Sequence, residues 1–283
     1  AFSQLASMET GFDSSHVLTM GITLPYSRYP DSAAEARFFS SLLERAASTP
    51  GVARAGLTSH VPLAPGNASD TLVFEGRLDT EPRPEADYRA ISAGYFETLG
   101  MRMARGRAFA TTDTAQGPQV MIVNEAFVRR FLPDGEAVGR RVRFSGPPEK
   151  NRWREIVGVV ADFRHDLNRA TRPETYIPFT QDTNDTLFLV TKTRGDALAM
   201  APSLRAAVLS IDPGRCARST TSRIGPWPRS APWPPSSACS ARSPFCSRPS
   251  ASSAWCRSSC RRALRRSACA WSLAPARRAS SAW

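Results

Sequence analysis

The composition of the chain breaks at Gly214, and this break decides which part can fold around a core. Residues 1–214 carry 24 Lys+Arg against 25 Asp+Glu, a net charge of −1. Residues 215–283 carry 13 Arg and no Lys, Asp, Glu or His, so the +12 of the whole chain comes from the tail. All six cysteines (Cys216, Cys239, Cys246, Cys256, Cys260 and Cys269) and five of the six tryptophans also lie beyond the break. The tail is mostly Ser, Ala, Arg and Pro, with no sustained period of 2 or 3.6. Such a segment cannot bury enough apolar surface to offset the entropy of ordering it, so disorder is expected there.

The first 214 residues are long enough for one or two domains with cores. They contain no cysteine, which excludes a disulfide framework and a thiolate metal site in this part. No run of about 18 apolar residues occurs, so no segment reads as a membrane-spanning helix. The start, Ala1-Phe2-Ser3-Gln4, has neither an initiator Met nor a basic-then-apolar leader. The expectation is the interior of a longer protein.

Residues 17–24 alternate as a strand closed by Pro25. Asp31 or Ser32 then caps a helix, with Glu35 completing a capping box, and Phe39, Leu42, Leu43 and Ala46 form its apolar stripe. Thr49-Pro50-Gly51 ends that helix before a strand over 52–59, giving a β-α-β unit. After a Pro/Gly/Asn-rich connection, short strands are expected at 71–76 and 88–91. A short helix follows, with Ser92 as N-cap and Gly100 as its stop. Val120–Val123 reads as a buried strand running into the N-cap Asn124 of a helix ended by Pro133-Asp134-Gly135. Strands are expected at 141–144 and 154–160, a brief edge segment at 175–179, and a strong strand at 186–193. The last helix carries Ala201, Leu204, Val208 and Ile211 at helical spacing, with Pro202 tolerated near its start. The fold class is α+β: a split ferredoxin-like layer with an inserted strand-rich subdomain. The second half of that layer lacks its final strand, because the anomalous tail begins where the strand belongs. The consequence would be an unpaired, aggregation-prone sheet edge.

No catalytic, cofactor-binding or metal-ligating residue emerges. His165 between Asp162 and Asp166 has no second His nearby, and a polar loop after a strand accounts for it. His60 and His16 have no evident partner. Capping and the helix dipole explain Asn124 and Glu125. Gly100–Gly106, with Arg102 and Arg105, matches no phosphate-loop pattern. The sequence contains no G-x-S-x-G, H-E-x-x-H or C-x-x-C.

Several stretches taken in order carry a resemblance. They are Gly11-Phe12-Asp13 leading to Val17-Leu18-Thr19, and Pro50-Gly51-Val52. Next come Tyr88 to Gly100, followed by Arg105-Gly106-Arg107-Ala108-Phe109. Val123-Asn124-Glu125-Ala126-Phe127 with Arg130-Phe131, and Val138-Gly139-Arg140-Arg141, follow. Ile156 to Asp162 and Ile211-Asp212-Pro213 complete the set. Over about residues 11–214 the chain resembles the MacB-like periplasmic core domain of FtsX/MacB-type ABC transporter permeases. The resemblance implies a transmembrane helix before the domain and three after it, and a porter-like α/β layer with a strand-rich insert. It further implies a non-catalytic, extracytoplasmic position at the cell inner membrane. A partner ATP-binding subunit, membrane-embedded permease helices, envelope protein partners and a dimeric transporter also follow from it; no cofactor does. The domain boundaries expected are a fragment start at 1–10, a layer of 11–61 and 154–214, an inserted subdomain of 62–153, and the tail at 215–283.

The tail departs from the family, where a strand, a membrane helix and a T-P-E-I-G-V-R-M loop should follow. Codons for Arg265 to Trp271, read in a neighbouring frame, can spell Glu-Ile-Gly-Val-Arg-Met. Those for Phe245 to Trp255, in the same frame, can spell Leu-Leu-Ala-Ala-Val-Gly-Ile-Phe-Gly-Val-Val. The tail is therefore expected to be out-of-frame translation of a permease gene, shifted near residues 212–216. Stops and no apolar run in the other frame after Asp212 would end that idea. Two other readings are weighed against the transporter one. A soluble extracytoplasmic module would bind a ligand or protein through the insert. A nucleic-acid-binding tail would use its Arg and Trp residues, with binding that weakens steeply with salt. Tail cysteines as metal ligands fit no standard zinc knuckle.

Overall fold

The computed structural model describes residues 11–64, 67–77, 82–147, 151–163, 170–212 and the backbone of 220–223. All of these fall in the first of two compact units, residues 1–231. The expectations for the disordered tail, its cysteines and its nucleic-acid binding otherwise lie outside the described residues. So do those for the fragment start at 1–10.

The elements run β1 (Val17–Thr23), α1 (Ser32–Ala47), β2 (Val52–Thr58), β3 (Ser69–Phe74) and β4 (Glu85–Ile91). Then come α2 (Tyr95–Thr98), β5 (Met103–Gly106), β6 (Val120–Asn124), α3 (Glu125–Phe131) and β7 (Arg141–Phe144). The chain continues through β8 (Arg154–Val160), β9 (Glu174–Pro178), β10 (Thr186–Thr193), α4 (Ala201–Ile211) and β11 (Thr220–Arg223).

Four strands make an antiparallel layer in the order β11-β1-β10-β2, the strand order of a ferredoxin-like sheet. Alternation along β1 sends Leu18, Met20 and Ile22 into the main core together with Phe39 and Leu42 of α1 and Leu204 and Val208 of α4. Asp31 is the cap of α1, its Oδ1 accepting from the Ala34 N–H at 2.7 Å. Ser32 is thus the first helical residue and does not serve in a capping box. On the other face, α2 lies against β2 at Gly56. A Cβ there would stand 2.8 Å from Tyr95 Cα, so only glycine lets the two backbones approach this closely.

The expected missing edge strand is present. Thr220–Arg223 pairs antiparallel with β1 from Gly21↔Thr220 to Leu18↔Arg223. A short edge strand is held through main-chain groups, and four residues display no periodicity that could reveal it. The layer therefore draws on both sides of the compositional break.

Six of the remaining strands close a ring, β4-β3-β7-β8-β6-β9 and back to β4, and β5 pairs with β8 off it. Leu72, Phe74, Met121, Val123, Val142, Phe144, Ile156 and Ile177 from these strands share one apolar cluster. The α3 helix covers part of it, with Phe127 5.1 Å from Phe131 and 6.0 Å from Phe74 between ring centroids. Strand β9, expected at an edge, is buried along its whole length, parallel to β4 on one side and antiparallel to β6 on the other. The expected segment, 175–179, begins one residue late and omits Glu174. The Glu is paired inside, and the Pro stands at the strand's last position, where the ladder ends. Strands β8 and β9 pair with insert strands and with no strand of the layer, so the boundary expected at residue 154 does not coincide with the pairing.

The strand pairing between layer and ring is narrow. The β2–β4 ladder has a single pair, Thr58↔Ile91. Beside it the Ser92 Oγ accepts from the Leu57 N–H at 2.9 Å, and the Ser59 Oγ from the Ala90 N–H at 3.0 Å. Ser92 is thus spent on the seam and does not cap α2, whose N-cap is Gly94 with no side-chain bond. The expected helix stop holds, with Gly100 at φ +66°.

Candidate functional site

The residues weighed from sequence fall into structural roles. Asn124 is fully buried. Its Oδ1 accepts from the N–H groups of Phe127 and Glu174, both at 2.9 Å, and its Nδ2 donates to the Arg172 carbonyl at 2.8 Å. It therefore caps α3 and ties that helix to β9. Asp162 supports the same helix end, accepting from the Ala126 N–H at 2.8 Å and pairing with Arg129. Glu125 Oε2 accepts from the Asp162 N–H at 3.3 Å. His165 and Asp166 lie outside the described residues. His16 Nδ1 sits 2.9 Å from the Gly195 carbonyl oxygen, and the His60 N–H donates to Thr58 Oγ1. Residues 100–106 lead into β5, a strand that periodicity missed, and Arg105 donates to the Gly135 carbonyl at 2.6 Å. Among the described residues no group of three or more His, Cys, Asp or Glu is placed to hold a metal ion.

Two residues of the resemblance motifs make long-range ties in the layer. Asp212, at the end of α4, pairs with Arg28 at 2.8 Å and accepts from the Tyr29 hydroxyl at 3.0 Å. Asp13 pairs with Lys192 at 2.6 Å, and that hydrogen bond holds its carboxyl at a pKa of about 2.

The strongest concentration of buried charge is one that sequence reading missed. Asp87 and Arg89 on β4 and Glu174 and Tyr176 on β9 alternate onto one face, in register Asp87↔Glu174 and Arg89↔Tyr176. Arg89 is 1% exposed, Glu174 2% and Asp87 3%. Arg89 Nη2 lies 3.8 Å from Glu174 and 4.0 Å from Asp87, and donates to Asn67 Oδ1 at 2.7 Å. The Tyr176 hydroxyl donates to Glu174. Arg172 reaches Asp87 from the rim at 3.1 Å, although among the described residues Asp87 Oδ1 accepts no hydrogen bond and Arg89 Nε donates none. Burial pushes the Asp87 carboxyl above the ordinary carboxylate range. Burial, reinforced by the Glu174 charge, pushes the Tyr176 hydroxyl far up. A D-x-R beside an E-x-Y reads from sequence as a solvated strand face, and only the β4–β9 register reveals that the two sets meet. The groups are turned on one another, which makes them a register lock. A one-residue slip would move Arg89 to the apolar face of the ring.

The sequence profile of the MacB-like periplasmic core domain matches residues 5–207. The chain belongs to this family. The match takes in both the layer and the ring. A curated relative, the uncharacterized ABC transporter permease YvrN of Bacillus subtilis, is 31% identical over 72 residues, which are 25% of this chain and 16% of that protein. The chain thus matches about a sixth of that relative's length. Among solved structures, the periplasmic region of MacB from Actinobacillus actinomycetemcomitans is similar at 16% identity and a TM-score of 0.49, covering 78% of this chain and 94% of that one. The extracellular domain of the ABC-type transporter YknZ from Gram-positive bacteria is similar at 15% identity and a TM-score of 0.41, covering 68% and 88%.

Proposed function

We propose that the MacB-like domain of this chain is the extracytoplasmic part of an ABC transporter permease, standing on the periplasmic side of the cell inner membrane. In this reading it carries out no chemistry. It moves in response to ATP hydrolysis in a partner ATP-binding subunit, as part of a dimeric assembly, and passes that movement to transport or to another envelope process. The observation that carries the reading is the family match over residues 5–207. Among the described residues no helix is long and apolar enough to cross a membrane.

The architecture gives the coupling a physical route. Both the first described strand, β1, and the last, β11, belong to the layer. The ring joins that layer through its connecting segments, the single-pair seam Thr58↔Ile91 and a shared apolar cluster in which Val17 and Val190 of the layer meet Ile122 and Tyr176 of the ring. A displacement applied to the layer is transmitted to the ring as a body, because the ring is closed and its register is locked by buried charge. In domain terms, we assign the layer to residues 11–61 and the segment after Pro178, and the insert to 62–178.

The test is to place the whole membrane protein that contains this domain in vesicles with its ATP-binding subunit. Deleting residues 17–212 should uncouple hydrolysis from the permease, so that the ATPase rate no longer responds to it. An unchanged response after the deletion would remove the coupling role. One observation favours the second reading, a ligand-binding module: a polar cavity on the ring.

A further inference from the structure

A cavity of about 220 Å³ opens at the ring, lined by Ala115, Gln119, Arg152, Arg154 and Gln181. Arg154, the first residue of β8, is 7% exposed. Its Nη1 donates to Gln119 Oε1 at 2.8 Å and to Gln181 Oε1 at 3.1 Å. Its Nη2 and Nε make no hydrogen bond among the described residues, and no carboxylate there lies within 4.0 Å of it. The guanidinium stands 6.0 Å from the Phe144 ring. Asp182 adds an attractive field but is itself engaged by the Tyr88 hydroxyl at 3.0 Å. Burial holds the Arg154 pKa below its ordinary value, the mark of a cation whose lost hydration is not fully replaced.

The frame around Arg154 is fixed. Gln181 Nε2 donates to the carbonyls of Thr114 at 3.1 Å and Pro118 at 2.9 Å, which settles its amide orientation and turns its oxygen to Arg154 and to the Val120 N–H. Gln119 Nε2 has no protein partner among the described residues, and Arg152 is exposed at the rim. The cavity is therefore bordered by two guanidiniums and an amide with donors to spare, and by no acid. Buried arginine is stable in such a place when its planar fork is met by an oxyanion.

We propose that this cavity is a binding site for the oxyanion group of a small ligand, a phosphate monoester or a carboxylate. Arg154 is its buried anchor, Arg152 its outer clamp and Gln119 a neutral donor. The volume accommodates one such group with a few attached atoms. The site stands whether or not the domain serves a transporter.

The experiment is calorimetric titration of the full chain with inorganic phosphate and, separately, with succinate at low ionic strength, with amide NMR mapping the response. Saturable one-site binding of either probe is expected, with shifts centred on residues 115–119, 152–154 and 181. Phosphate alone binding marks a phosphate ligand; succinate binding marks a carboxylate. Because Arg152 is exposed, Arg152→Ala leaves the fold intact and should weaken binding about tenfold or more, as loss of a charged hydrogen bond requires. Arg154→Met should abolish binding, while Arg45→Ala, on α1, should leave it unchanged. The arginines beyond Gly214 contribute the same background to every variant. A response that never saturates, or saturable binding that Arg152→Ala leaves intact, overturns the proposal.

Discussion

Replacing Arg89 with leucine should destabilise the domain by about 3–5 kcal/mol, the penalty for removing one partner of a buried ion cluster. The arginine is 1% exposed and answers two carboxylates that are themselves nearly dry. Without it, Asp87 and Glu174 face each other across the β4–β9 pair, with the rim cation Arg172 3.1 Å from Asp87. The deficit has a signed pH dependence. In the folded wild type the Asp87 pKa is already raised above 3.8 by burial. A carboxylate of this kind binds its proton more tightly folded than unfolded. Its penalty is present at neutral pH and is relieved as pH falls through the folded value toward 3.8. Loss of Arg89 enlarges that penalty, so the difference between variant and wild type should shrink between pH 7 and pH 4. Adding Asp87→Asn and Glu174→Gln to Arg89→Leu should recover much of the loss, since a cluster replaced as a whole leaves no orphaned charge. Urea midpoints at several pH values provide the measurement. A deficit below about 1 kcal/mol, as for an exposed pair, or one that does not change with pH, would show that the cluster does not lock the ring.

Phe127→Ala should cost a similar amount, about 3–5 kcal/mol, by the separate mechanism of an unfilled cavity. Phe127 is completely buried, packed among Phe74 and Phe131. Its helix has only seven residues, too short to hold itself, so packing and the Asn124 and Asp162 caps must supply its stability. Leu198→Ala serves as the contrast. That side chain is 47% exposed, and the change should stay within about 0.5 kcal/mol. Equal effects at the two positions would mean that the aromatic cluster on the ring is not packed as described.

How much of this was legible in the sequence depends on whether a residue acts locally or through register. The Asp31 and Asn124 caps, the stripe of α1 and the glycine stop at Gly100 could all be read because each works within four residues of itself. Ser92 misled because its hydroxyl bonds across the seam to Leu57, a partner 35 positions away. Strand β9 misled because its two partners, β4 and β6, are far away in the chain, and β11 was missed because an edge strand recruits main chain regardless of side chain. The Asp87–Arg89–Glu174 cluster and the Arg154 cavity share that cause. Each joins residues far apart in the chain, and a closed ring leaves no trace of its closure in any one strand. The family, by contrast, was readable from ordered short motifs. Two motif residues now have physical roles, Asp212 with Arg28 and Tyr29, and Asp13 with Lys192.

The most direct test of the central claim is the side of the membrane on which the domain stands. Tyr26, in the turn after β1, is 79% exposed. A Tyr26→Cys variant of the gene product should react in intact cells with a maleimide that crosses the outer membrane but not the inner one. The same protein without the substitution sets the background; in the sequence given, residues 1–214 contain no cysteine. Labelling of the variant above that background without lysis is the predicted result. Labelling that appears only after the inner membrane is broken would place the domain in the cytoplasm and contradict the account.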